Sequence, residues 1–82
     1  MDGFIKILGN KIRLLRTEKK ITLKELADKV NVTPSLISQI ERGIANPSIS
    51  SLKSISDYLG VTIAELLDTS ANNAKMLSPV IK

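Results

Sequence analysis

The chain has 82 residues, of which 43% are apolar and 24% charged, a composition that suits one small globular domain and not a disordered chain. Cysteine and histidine are both absent, which excludes disulfides, thiolate and imidazole catalysis and the usual zinc sites, and favours a reducing cytoplasm. The net charge of +4 sits in one half: residues 1–43 carry nine Lys/Arg against five Asp/Glu and residues 44–82 three of each, so the basic half suits a polyanionic partner.

The first segment, "MDGFIKILGNK", has neither a basic leader nor a cleavage-like site, and no apolar run approaches the ~18 residues that cross a bilayer. A soluble, intracellular protein is expected. Ile5, Leu8, Ile12 and Leu15 recur at helical spacing and predict a first helix. Phe4, Ile7 and Leu14 add a second, weaker apolar line, available to the C-terminal segment or to a partner chain. In "TLKELADKV", Thr22 followed by Glu25 is a capping-box pattern, with Ile21 and Leu26 placed for a hydrophobic staple. Leu23, Leu26, Ala27 and Val30 form the buried stripe of this second helix, and Asn31 suits its left-handed exit.

Thr33 caps a third helix with Pro34 at its first position, where the missing N–H costs nothing. Ile37 and Ile40 point inward and Gly43 stops the helix, which is expected over 34–42. About three residues separate helices two and three, the spacing of a helix-turn-helix. "GIANP" is a turn, and Ser48 caps a fourth helix expected to place Ile49, Leu52, Ile55 and Leu59 inside and to end at Gly60. The five serines between 48 and 56 resemble a linker, but the apolar period through them argues for helix. Thr62 and Glu65 repeat the capping box for a short fifth helix, "TIAELL". The expected fold class is all-α, with five helices and no sheet.

Catalysis finds little to work with. Glu25, Asp28, Asp57, Glu65 and Asp68 read as caps or solvated faces, no His or Cys can activate a serine, and "GIANPS" lacks the glycine spacing and Lys-Ser/Thr of a phosphate-cradling loop. No enzyme activity, cofactor or metal is expected. One Phe and one Tyr are too few aromatic anchors for a membrane-surface helix. Duplex DNA has a site to meet. In a helix-turn-helix the second helix enters the major groove and its N-terminal outward residues face base edges. Here those are Pro34, Ser35, Ser38, Gln39 and Arg42; Gln39 can pair bidentately with adenine and Ser with several bases. The start of helix two, with Thr22 and Lys24, can aim free amides at a phosphate. Taken singly, each of these residues is also what any exposed helix surface contains.

From "LGNKIRLLRTEKK" through "LKELA", "VTPSLISQIERG", "NPSISSL" and "LGV", in that order over about residues 6–67, the chain resembles the Xre/phage-repressor (Cro/C1-type) helix-turn-helix regulators. The resemblance implies a compact five-helix, lambda-repressor-like domain that binds duplex DNA sequence-specifically as a transcriptional repressor. It puts base-facing positions on Pro34, Ser35 and Gln39, and phosphate contacts at the helix-two N-terminus (Thr22, Lys24), at the cap Thr33, at Arg42 and in the loop before helix four (Asn46). It also implies a structural pair between Arg16 and Glu41. Three positions depart from the family pattern. Leu23 stands where a phosphate-touching glutamine is common, Ile44 where a basic residue is frequent, and Pro34 where some members place a base-reading glutamine. Readout is then shared among Ser35, Leu36 (against a thymine methyl), Ser38 and Gln39.

The expected organisation is a DNA-binding domain over 1–67, followed by a polar linker, "DTSANNAK", and the start of a missing further domain within 68–82. The wording of helices three and four is similar to that of regulators continuing into a cupin-type sensory domain, which would carry a small-molecule effector. Free-standing restriction–modification controllers and antitoxin-like protein-interaction modules stay open as alternatives. The implied partner is a palindromic DNA operator, bound by a homodimer formed through the C-terminal helix, where Ile63, Leu66 and Leu67 exceed the apolar needs of one short helix; pairing off DNA or only on it is left open.

Overall fold

Among the described residues, five helices follow one another with no strand between them: α1 Asp2–Glu18, α2 Leu23–Val30, α3 Pro34–Glu41, α4 Ile49–Leu59 and α5 Ile63–Leu67. The structure is a computed structural model that describes residues 2–68; the linker and further domain expected at 68–82 fall, except for Asp68, outside the described residues. Four of the five helices begin at a Ser/Thr oxygen that takes an otherwise orphaned backbone N–H. Thr22 accepts from Glu25 at 3.0 Å, Thr33 from Leu36 at 3.1 Å, Ser48 from Ser51 at 3.1 Å and Thr62 from Glu65 at 3.0 Å. At α5 the capping box closes, with the Glu65 carboxylate accepting from Thr62 N–H at 2.8 Å.

The capping box expected at α2 does not close. The Glu25 carboxylate instead accepts the hydroxyl hydrogen bond of Tyr58 on α4, a tertiary partner that wins over the local one. α2 leaves through Asn31 in the left-handed region, φ 65° and ψ 43°, and α3 ends at Glu41, one residue before the expected boundary. Gly43 follows at φ 77°, a conformation a side chain would strain. The turn between α1 and α2 also uses a left-handed residue, but there it is Lys20 at φ 59°.

The core is one cluster drawn from every helix: Leu8 and Ile12, Leu26 with Ala27 and Val30, Ile37 and Ile40, Leu52 with Ile55 and Leu59, and Leu66. Leu23 and Leu15 pack partly against it. Ile49 does not join it and is 78% exposed, because it is the first residue of α4 and the inward stripe of that helix begins a turn later at Leu52. Phe4, Ile7 and Leu14 remain exposed along α1. α1 rests directly on the end of α3 at Gly9, where an added Cβ would stand 2.2 Å from the Ile40 carbonyl oxygen and 2.8 Å from that of Glu41. Among the described residues, no helix is long and apolar enough to cross a membrane.

Candidate nucleic-acid interface

α2, the three residues Asn31, Val32 and Thr33, and α3 form the helix-turn-helix. Its angle is set locally by the left-handed Asn31 and the capped, proline-started entry to α3. It is set globally by Ile37 and Ile40, which are 0% and 2% exposed and leave α3 one orientation in which to bury them. The helical period then turns Pro34, Ser35 and Arg42 into solvent and leaves Ser38 and Gln39 half-exposed on the same side. Leu36, expected to share in base contact, packs partly against the core, so only part of its side chain is free for a base methyl.

Of the residues expected to meet phosphate, Thr22 and Thr33 use their oxygens as caps, and neither hydroxyl donates in a described bond. Lys24 lies 3.3 Å from Asp28, both exposed, a surface pair that binds its ammonium only weakly. Arg42 and Asn46 are exposed. These groups lie at the start of α2, at the start of α3, at the exit of α3 and in the loop before α4.

Arg16 and Glu41 form a two-pronged pair. Nε donates to Oε2 at 2.6 Å and Nη2 to Oε1 at 3.1 Å, while Nη1 donates to the Ile21 carbonyl at 2.7 Å. The side chains are 12% and 4% exposed, so this pair is desolvated and every guanidinium edge in use lies within the fold. Glu41 is the last residue of α3, so the pair fixes the far end of that helix to α1 and to the turn entering α2.

Two contributors carry weaker sequence signals. Gly9 sits inside a helical pattern, where glycine costs about 1 kcal/mol and invites a packing explanation, here the approach of α1 to α3. Tyr58 and Glu25 join α4 to α2 beside the helix-two start, with Lys29 Nζ 5.9 Å from the centre of the tyrosine ring. Accepting the hydrogen bond, the Glu25 carboxylate holds the Tyr58 proton and pushes the phenol above its ordinary value near 10, with slight desolvation and the Glu25 charge acting the same way.

The Helix-turn-helix family model matches residues 12–66. The chain is 35% identical over 60 residues to the immunity repressor protein of Bacillus phage phi105, a match covering 73% of this chain and 42% of that protein. It is 43% identical over 63 residues to the HTH-type transcriptional regulator SinR of Bacillus subtilis, covering 76% of this chain and 57% of SinR. The crystal structure of SinR, the master regulator for biofilm formation, in complex with DNA superposes with a TM-score of 0.69 at 44% identity, over 74% of this chain and 98% of that one. The chain therefore spans about half the length of the curated relatives it matches.

Proposed function

The chain belongs to the helix-turn-helix family, and on that premise we propose that residues 2–68 bind double-stranded DNA with α3 in the major groove, as the DNA-binding part of a transcriptional repressor. The observation that carries this is the two-faced build of α3: Ile37 and Ile40 anchor it, while Pro34, Ser35, Ser38, Gln39 and Arg42 share the opposite side. The likeness to SinR in complex with DNA and to a phage immunity repressor supports the same reading. Ser35, Ser38 and Gln39 read base edges, Gln39 through the paired donor and acceptor of its amide, with Leu36 and Pro34 lending apolar contact. Thr22, Lys24, Thr33, Arg42 and Asn46 hold phosphates and set the depth and register of α3. The Arg16–Glu41 pair keeps the helix at that angle.

One α3 reads only a few base pairs, so useful specificity calls for two copies on a palindromic site with half-sites about one helical turn apart. Pairing runs through the C-terminal helix α5, where Leu67 is partly exposed and Ile63 half-buried. The protein acts in the cytoplasm, catalyses no reaction, and has no membrane partner.

The test is the affinity of the chain for a duplex selected from a random pool, measured against salt. Binding should weaken with a log–log slope near −0.9 for each phosphate contacted. The full palindrome should bind more tightly than a single half-site. Duplex affinity indifferent to salt would overturn the DNA reading, and equal affinity for half and full sites would overturn the symmetric pair.

A further inference from the structure

A groove runs between the first turns of α1 and the exit of α3, lined by Lys6, Ile7, Asn10, Glu41 and Arg42. Its charge is decided by which of these groups are already engaged. Glu41 contributes the one carboxylate among these lining residues, and both of its oxygens are bound by Arg16. Lys6 and Arg42 are exposed, and neither takes part in an ion pair among the described residues. Asn10 follows Lys6 by one helical turn on the same side of α1 and brings two amide N–H donors.

The lysine is not an arbitrary surface cation. Its stem lies on the open face of Gly43, where an added Cβ would meet Lys6 Cγ at 2.6 Å and Cα at 3.1 Å. That places Lys6 over the residue that stops α3, immediately beside Arg42. The contact of Gly9 with the Ile40 and Glu41 carbonyls holds this stretch of α1 at that distance. A cationic groove adjoining the exit of the recognition helix meets one abundant anion, the duplex backbone, with a charge every ~1.7 Å of axis.

We infer that Lys6 and Asn10 of α1 extend the phosphate-binding surface at Arg42 into this groove, where they hold one further backbone phosphate of the duplex beside the one that Arg42 meets. The inference rests on the DNA reading above and adds α1 to the surface that meets the duplex. Lys6 neutralises the phosphate, and the uncharged Asn10 donates to its oxygens.

The experiment uses the full chain on a duplex selected from a random pool, with affinity measured between about 50 and 200 mM salt and phosphate ethylation mapping each contact. Lys6→Ala should lower the salt slope by about 0.9, so that its deficit against the parent shrinks about 3.5-fold across that range. It should also abolish interference at one ethylated phosphate that the parent requires. Lys6→Arg should keep both, and Asn10→Ala should weaken binding with no change in slope. A Lys6→Ala protein with the parent's slope and the parent's ethylation pattern overturns the groove while leaving the DNA reading intact. A parent chain with no salt-dependent affinity for duplex overturns the DNA reading, and the groove with it.

Discussion

Glu41 closes α3 with a carboxylate that is 4% exposed and bound twice by Arg16, itself 12% exposed. Alanine at 41 would leave the guanidinium desolvated with only its Ile21 carbonyl partner. Breaking a buried pair by removing one member costs about 3–5 kcal/mol, against ~0–1 for an exposed pair. Glu41→Ala should therefore lower the denaturant midpoint well beyond the effect of an exposed charge removal such as Asp57→Ala, whereas Arg16→Met combined with Glu41→Leu should recover most of the loss because no charge is stranded. Coincident midpoints for Glu41→Ala and the parent would contradict the pair. Gly9 makes the second residue-scale case. Alanine is the better helix former by about 1 kcal/mol, yet its methyl would press on two backbone oxygens that cannot turn aside. Overpacking of this kind costs about 1–3 kcal/mol, so Gly9→Ala should destabilise on thermal unfolding and separate α1 from α3; a raised Tm would show that the helices do not meet there.

At the scale of elements, the Tyr58–Glu25 hydrogen bond adds a polar tie to the apolar joint between α2 and α4. Because the phenol is raised above its ordinary value, its contribution is fully present below about pH 10 and is lost as the pH climbs through the raised value. Tyr58→Phe keeps the ring under Lys29 and removes only the hydroxyl. Its stability deficit should be constant between about pH 6 and 9 and should close as the parent phenol ionises in strongly alkaline solution. A deficit that persists undiminished there would contradict the Tyr58–Glu25 hydrogen bond as its source. The helices themselves were legible, since each of α2 to α5 starts at a Ser/Thr cap and keeps a 3.6-residue apolar period, signals that depend on near neighbours only. What was not legible depends on distant ones. Glu25 has the local pattern of a capping box, but nothing near it in sequence announces Tyr58. Ile49 fits the apolar period of α4 but lies in its first turn, beyond the reach of the core. Lys20 adopts φ 59° in a turn with no glycine or asparagine to mark it.

For the whole molecule, the residues of the candidate interface were nameable because two buried isoleucines fix which way α3 faces, and the period does the rest. Lys6 escaped notice because it is on another helix, 37 positions from the Gly43 it covers, and its place appears only once α1 is folded onto α3. If α3 reads DNA as proposed, its outward side is a reading surface with divided labour. On the reading proposed above, Gln39→Ala removes a bidentate base contact and should cost about 1–3 kcal/mol on the selected site while relaxing preference at one base position. On the same reading, Arg42→Ala removes a phosphate contact and should weaken selected and scrambled duplex alike, with a salt slope lower by about one. Neither change touches Ile37 or Ile40, so thermal stability should stay within ~0.5 kcal/mol of the parent. The most direct measurement is thus the affinity of these two variants for the selected duplex and for a scrambled one of equal length. Gln39→Ala should lose affinity for the selected site alone and Arg42→Ala equally for both; the same loss on both duplexes for both variants would contradict a reading role for α3.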